Sequence, residues 1–258
     1  MRVAVDGIYF GLLPGRGPEE LIRLAVDVGA DGLNWPYHAD YGADNPEPIA
    51  RAIADAGLAV VSLAMTPHLS AVPGSEAAFR ESLARCLSAA AVFNTRVIDC
   101  WPALPKDVAK EQAQAVLAAN LDALAPAAAA AGRVLSFEFE PGATIERYGE
   151  AGAFVAPFGP AAALTADTYH IIRIGDDLAQ AATALGPTIG ILHFSGSHRG
   201  EPGSEGDRCD YAAFLRAACR AGYAGDIVLQ YEPPEDAVGS LKRAIALTRE
   251  VIREVGLT

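Results

Sequence analysis

Residues 129–138, AAAGRVLSFE, show the pattern that repeats along the chain: the end of an Ala-rich helical segment, a glycine, and a short apolar strand that stops at an acidic residue. Gly132 suits the left-handed conformation that ends a helix, and Val134–Glu138 has the composition of a buried strand. The same helix, glycine and strand order returns around Gly29, Gly57, Gly186 and Gly222. This repetition predicts parallel strands joined by helices.

The chain contains eight such strand–helix units. The predicted strands are Val3–Asp6, Gly32–Trp35, Ala59–Leu63, Arg96–Cys100, Val134–Glu138, Ala163–Asp167, Ile189–His193 and Ile227–Tyr231. The predicted helices are Glu19–Val28, Glu47–Ala56, Glu76–Phe93, Lys106–Ala131, Gly149–Phe158, Asp177–Leu185, Tyr211–Ala221 and Asp236–Val255.

Two folds share this alternation of strands and helices, and the residues after the first strand distinguish them. An open doubly wound sheet usually carries a glycine-rich phosphate loop after its first strand, and residues 7–11, GIYFG, lack the required spacing. We therefore predict an α/β protein with a closed (β/α)₈ TIM barrel. A chain of 258 residues is a usual length for one such barrel, so residues 1–258 are expected to form a single domain.

Charge and hydropathy limit the classes of partner. The formal net charge is −12, and Lys and Arg do not cluster, so the sequence argues against nucleic acid as a partner. No apolar run approaches the roughly 20 residues of a membrane span, and residues 1–6 have the pattern of a first strand rather than a signal peptide. We expect a cytoplasmic protein without a membrane partner that acts on a small molecule, and a homo-oligomer is compatible with the sequence.

Four neighbouring strands are predicted to end at residues that can bind a metal ion. These residues are Glu138, Asp167, His193 and Glu232. The C-terminal ends of TIM-barrel strands form the rim of the active site, so the four side chains should converge. Converging carboxylates repel one another unless a cation lies between them. A mixture of oxygen and nitrogen ligands favours Mn²⁺, Co²⁺ or Mg²⁺ over a structural zinc ion.

The segments around these residues resemble a known family. Residues 193–203, HFSGSHRGEPG, are similar to the seventh-strand motif of the D-tagatose and D-psicose 3-epimerases, and residues 167–170, DTYH, match the D-x-x-H motif of that family. Residues 137–139, FEF, and 231–233, YEP, are similar to its two glutamate motifs. The chain resembles the sugar phosphate isomerase/epimerase superfamily, the xylose isomerase-like barrels, over most of its length.

The resemblance implies roles for single residues. It implies that His193 and Asp167 bind the metal ion, that Arg199 holds the substrate and that His170 contacts substrate oxygens. It also implies that the two glutamates, Glu138 and Glu232, bind the metal and face opposite sides of the substrate carbon.

The sequence departs from the epimerases in the substrate pocket. Thr144 stands where the epimerases have a further substrate-binding glutamate, so the sugar does not carry over. Trp35 and Trp101 lie just beyond the second and fourth strands, where a ring can stack on the apolar face of a sugar, although core packing explains each equally well.

The sequence therefore predicts an enzyme with one divalent metal ion. We expect a sugar isomerase or epimerase that transfers a proton next to a carbonyl through a metal-stabilised enediolate, with Glu138 and Glu232 as the acid–base pair. A metal-dependent dehydratase or lyase, of the inosose or dehydroshikimate dehydratase type, would use the same ligands and remains the alternative. The net charge argues against an abasic-site endonuclease. The presence of all four predicted ligand residues argues against a binding protein without activity.

Overall fold

The computed structural model describes residues 1–11 and 17–256, and its eight parallel strands close into a barrel in chain order. The strands are β1 (Val3–Asp6), β2 (Gly32–Tyr37), β3 (Ala59–Met65), β4 (Val97–Cys100), β5 (Val134–Glu138), β6 (Ala162–Asp167), β7 (Ile189–Phe194) and β8 (Ile227–Leu229). Strand β8 pairs with both β7 and β1, which closes the sheet. The predicted (β/α)₈ TIM barrel is confirmed.

Helices connect successive strands and surround the barrel. They are α1 (Gly7–Gly11), α2 (Pro18–Asp27), α3 (Pro46–Asp55), α4 (Glu76–Val92), α5 (Lys110–Ala130), α6 (Tyr148–Val155), α7 (Thr168–Arg173), α8 (Leu178–Leu185), α9 (Tyr211–Arg220) and α10 (Ala237–Glu254). The five glycines that predict helix ends all have positive φ, between 40° and 104°. In the described ranges no helix has the length and apolarity needed to cross a bilayer.

Some boundaries differ from the prediction. Helices α1 and α7 were not predicted, because five or six residues directly after a strand are too few to show a helical period. Helix α7 begins where Asp167 accepts a hydrogen bond from the Tyr169 N–H at 2.7 Å. Strand β8 ends at Leu229, earlier than Tyr231, and this difference affects the candidate site.

The interior of the barrel is apolar at one level and polar at the next. A small buried cluster fills its lower part and consists of Ala4, Val61, Val97, Ile191 and Val228. Because side chains alternate along a strand, the residues two positions further on have the same orientation. On three strands and just after β8 these residues are polar and buried: Asp6, Asp99, His193 and Gln230. The apolar layer thus supports a polar layer near the C-terminal ends of the strands.

Candidate active site

A cavity of about 350 Å³ opens at the C-terminal ends of the strands. Its lining residues are Ile8, Tyr9, Ala64, Met65, His68, Asp99, Trp101, Glu138, Glu140, His170, Arg199 and Gln230. This is the face on which TIM barrels carry their active sites, and the volume suits a small molecule.

Three carboxyl groups form one side of the cavity, which we name the acidic wall: Asp99 in β4, Glu138 at the end of β5, and Glu140 just after it. His170 in α7 lies beside two of them. Its Nε2 atom is 3.1 Å from Oε2 of Glu140 and 3.7 Å from Oε1 of Glu138. Asp99 is held below by Thr165, whose hydroxyl donates to Oδ1 at 2.7 Å. Contacts with His170 and Thr165 therefore hold the side chains of the acidic wall in defined positions.

The members of the acidic wall differ in their affinity for protons. Burial opposes ionisation of Glu138, but His193 and His170 outweigh it and hold the pKa of Glu138 well below its usual range. Burial also opposes a charged His193, yet the neighbouring Glu138 and Asp99 raise the pKa of His193 above its ordinary value. Burial raises the pKa of Asp99 and that of Glu140. Glu138 is accordingly a carboxylate, whereas the other two bind a proton more readily.

The opposite side of the cavity, which we name the donor wall, consists of Tyr9, Arg199 and Gln230. In a closed barrel of eight strands, β8 lies opposite β4 and β1 lies opposite β5. Tyr9 follows β1, Gln230 follows β8, and Arg199 comes from the connection between β7 and α9. Arg199 connects the other two residues of the donor wall, because its Nη2 donates to Oη of Tyr9 and to Oε1 of Gln230, each at 3.1 Å.

Arg199 is a buried cation with an anionic partner. It is only 8% exposed, and its Nη1 donates to Oδ2 of Asp167 at 2.6 Å. Its Cζ lies 5.1 Å from the ring centres of Tyr9 and Tyr169. The other oxygen of Asp167 accepts the Tyr169 N–H, so both carboxylate oxygens are engaged. Arg199 therefore both lines the cavity, as the resemblance implied for a substrate-binding residue, and neutralises Asp167.

Three residues offer a group that can hold a metal ion. Ligand atoms of Glu138, Asp167 and His170 all lie within 4.8 Å of one another. Oε1 of Glu138 and Nδ1 of His170 are buried and have no hydrogen-bond partner among the described residues. Buried polar atoms without partners are costly, and two carboxylates with an imidazole suit a divalent cation. The residues present therefore fit an ion, with His170 rather than His193 in the group.

His193, which the sequence predicts to be a metal ligand, lies deeper in the barrel than the group formed by Glu138, Asp167 and His170. It is completely buried, its Nδ1 is 3.0 Å from Oε1 of Gln230 and 3.5 Å from Oε1 of Glu138, and its Nε2 is 3.8 Å from Oδ2 of Asp99. His193 thus connects the acidic wall to the donor wall from below.

Glu232 does not join the other predicted ligands. It is exposed, and it does not line the cavity. Val228 faces the barrel interior and Gln230 follows it in the same orientation, whereas Tyr231 packs on Phe10 outside, with ring centres 5.2 Å apart. Because β8 ends at Leu229, the chain has left this alternation by residue 232. The side chain that reaches the cavity just after β8 is therefore an amide, that of Gln230.

The two tryptophans occupy different places. Trp35 is fully buried and packs on Tyr41, with ring centres 5.5 Å apart and an Nε1 hydrogen bond to the Tyr41 carbonyl. It is a core residue, because its neighbour in β2, Asn34, reaches Asp6 inside the barrel and Trp35 must face the helices. Trp101 is 36% exposed, lines the cavity, and lies 5.0 Å from the ring centre of His68. The expectation of a substrate-binding Trp35 is therefore corrected.

Three polar side chains of the cavity, Tyr9, Asp99 and Gln230, are not among the predicted site residues, and strand alternation indicates two of them. Asp99 is an acidic residue inside an apolar strand, two positions after the interior Val97, and Gln230 stands two positions after Val228. Tyr9 follows β1 in the short helix α1, for which the sequence shows no pattern.

Comparison with known proteins agrees with this architecture. The human protein named "Putative hydroxypyruvate isomerase" is 27% identical over 243 residues, which cover 85% of this chain and 86% of the relative. The 3-keto-D-glucoside 4-epimerase from E. coli has a TM-score of 0.83 at 21% identity, covering 97% of this chain and 99% of that chain. A D-psicose 3-epimerase studied in the presence of D-fructose has a TM-score of 0.82 at 19% identity, covering 98% and 99%.

The two solved structures establish the likeness of fold at these identities. The family described as xylose isomerase-like TIM barrel matches residues 22–251 of the sequence. This match confirms the resemblance drawn from the motifs, and the chain belongs to the xylose isomerase-like TIM barrel family.

Proposed function

We propose that this protein is an isomerase or epimerase that moves a proton next to the carbonyl group of a small sugar-like compound. The observation that carries the proposal is the pair Glu138 and Glu140, with His170 between them, facing one cavity. This chemistry requires a carboxylate that takes a proton from carbon and donors that stabilise charge developing on oxygen. The name of the human relative is consistent with such a reaction.

Glu140 is the candidate proton-transfer group. It lines the cavity but stands outside the group formed by Glu138, Asp167 and His170, so its carboxylate stays available when that group holds an ion. Nε2 of His170, at 3.1 Å, can orient this carboxylate. Glu138 is then a ligand and the partner of His193, and this division replaces the expected pairing of Glu138 with Glu232.

A divalent ion is part of the proposal. Glu138, Asp167 and His170 would hold it, and Mn²⁺, Co²⁺ or Mg²⁺ suits these donors. When bound, the ion supplies a positive charge that polarises a carbonyl oxygen. Arg199 offers fixed donors to substrate oxygens, and Trp101 offers a ring to the apolar face of the compound.

Turnover in D₂O tests the proposal. We would incubate the protein with MnCl₂ and, separately, with hydroxypyruvate and D-fructose as probes, and follow the products by NMR and mass spectrometry. Solvent deuterium on carbon next to the carbonyl, with the product mass otherwise unchanged, is the expected result. A product lighter by one water would instead indicate a dehydratase, and recovery of both probes unchanged and without deuterium would contradict the proposal.

Metal content is measured separately by elemental analysis. We expect about one Mn²⁺ per chain in wild type and a clear loss in Glu138→Gln. Glu47→Gln, at an exposed position of α3, is the matched control and should retain the ion. Equal content in all three proteins would contradict the assigned ligand.

A further inference from the structure

The two walls of the cavity differ in their ability to carry a proton to or from carbon. The acidic wall has three carboxyl groups, and His170 lies beside them. The donor wall has a phenol, a guanidinium and an amide. Among the described residues it has no carboxyl or imidazole group that lines the cavity. Residues 12–16, LLPGR, contain no Asp, Glu or His in sequence.

Inversion at a carbon atom makes a stricter demand than isomerisation. The proton must leave on one face of the substrate and arrive on the other, so a proton carrier is needed on each face. The position just after β8 that would supply the second carrier is Gln230, and a neutral amide does not take up a proton. Arg199 remains charged at any physiological pH and is paired with Asp167.

Tyr9 is the remaining group of the donor wall that could change its protonation state. Its hydroxyl oxygen accepts a hydrogen bond from Arg199 at 3.1 Å. Burial raises the pKa of Tyr9, which works against the phenolate that a base would require. Tyr9 is thus suited to donate a hydrogen bond to a substrate oxygen rather than to remove a proton from carbon.

We infer that this site transfers the proton on one face of the substrate only, so that it shifts a carbonyl between neighbouring carbons and does not invert a carbon. The inference rests on the proposed function and narrows it from isomerase or epimerase to isomerase. It follows from the placement of all cavity-lining carboxyl groups of the described residues on β4, β5 and the residue just after β5.

The step balances without a further reactant. A carboxylate of the acidic wall removes the proton from the hydroxyl-bearing carbon, the C–H electron pair forms a carbon–carbon double bond, and the carbonyl π pair moves to oxygen, which gains a proton. The original hydroxyl then loses a proton, which balances the proton gained by the first oxygen, and becomes the new carbonyl. The carboxyl group, whose proton exchanges with solvent, delivers a proton to the former carbonyl carbon. Donors of Arg199 and Tyr9 can stabilise the charge on these oxygens.

The surroundings of Gln230 allow the inference to be tested by a single substitution. Its Oε1 lies 3.1 Å from Nη2 of Arg199 and 3.0 Å from Nδ1 of His193. A carboxylate at this position would have two basic neighbours, so Gln230→Glu is compatible with the fold. The variant would add the missing proton carrier to the donor wall.

The primary test is the stereochemistry of wild-type turnover. We would incubate the protein with MnCl₂ in D₂O, with D-fructose and with hydroxypyruvate, and identify all products by NMR. The expected products are a single aldohexose from D-fructose or the aldehyde isomer of hydroxypyruvate, with no ketohexose epimer. Formation of D-psicose would overturn the inference and leave the proposed function standing. Recovery of both probes unchanged and without deuterium would end both.

The second test is Gln230→Glu, with Gln112→Glu on the exposed face of α5 as the matched control. Circular dichroism establishes that each variant is folded. We expect epimer formation in Gln230→Glu to rise roughly 100-fold above the wild-type background, and the control to match wild type. A folded Gln230→Glu variant that isomerises without forming any epimer would overturn the inference that the amide of Gln230 prevents inversion.

Discussion

The acidic wall and the donor wall are opposite sides of one cavity, but their side chains are positioned in different ways. Asp99 and Glu138 lie in strands, so strand alternation directs them inward. The donor wall depends on Arg199, which comes from a connection and is oriented by Asp167, Tyr9 and Gln230. Arg199 and Tyr9 are 190 residues apart in sequence. Local strand geometry thus directs two of the three carboxyl groups of the acidic wall, whereas long-range hydrogen bonds orient the guanidinium of the donor wall.

This difference has an energetic consequence. A strand residue keeps its direction when one neighbour is changed, because the sheet holds its backbone. A buried guanidinium depends on its partners, since removing one leaves a charge without compensation. Substitutions in the acidic wall should therefore affect chemistry first, and substitutions around Arg199 should affect stability first.

The largest effect is expected at the acidic wall. Glu140→Gln removes the proposed proton carrier and should lower turnover by roughly 10²- to 10⁴-fold, with the protein still folded. Glu232→Gln changes an exposed residue outside the cavity and should stay within roughly a factor of two of wild type. Steady-state kinetics of the two variants measure the contrast. A collapse of turnover in Glu232→Gln alone would restore the pairing that the sequence predicted.

The next largest effect is on stability and concerns the anchor of the donor wall. Asp167→Asn leaves the buried Arg199 without its anionic partner and should lower the free energy of unfolding by about 3–5 kcal/mol. Glu81→Gln breaks the Arg85 ion pair of similar length, 2.7 Å, but in an exposed place, and should cost about 0–1 kcal/mol. Urea unfolding of both variants measures the difference. Equal costs would mean that Arg199 does not depend on Asp167.

A smaller effect is expected at the rim beside the acidic wall. Trp101→Ala removes an exposed ring from the cavity and should raise KM about tenfold, equivalent to about 1.4 kcal/mol, with little change in stability. Trp35→Phe alters the core and should lower the melting temperature while leaving KM unchanged. Kinetics and thermal unfolding of the pair separate the two roles, and a KM effect confined to Trp35→Phe would reverse them.

The smallest effect is expected from one hydroxyl of the donor wall. Tyr9→Phe removes the oxygen that accepts from Arg199, while Arg199 keeps Asp167 and Gln230, so the loss in kcat/KM should correspond to about 1 kcal/mol. Tyr148→Phe, a partly buried position in α6, serves as the control and should show no loss. A loss of several orders of magnitude in Tyr9→Phe would indicate that the phenol transfers the proton itself.

Parts of the candidate site could be predicted because they depend on local pattern. Glu138, Asp167 and His193 stand at strand ends that the apolar runs define, and the structure brings all three near the cavity. Glu232 could not be placed in the same way. Its position depends on where β8 stops, and β8 stops at Leu229, a boundary set by pairing with β1 and β7. A strand boundary that is wrong by one or two residues changes which side chain is expected to face the cavity, the amide of Gln230 or the carboxylate of Glu232.

The barrel, the order of its strands and the face that carries polar residues follow from the sequence, because helix and strand periods and terminal glycines are local properties. The tertiary structure alone decided that Trp35 is core and Trp101 is not, that Gln230 faces the cavity, and that Arg199 pairs with Asp167. These outcomes depend on barrel closure, which brings distant residues within hydrogen-bond distance and which no local pattern encodes.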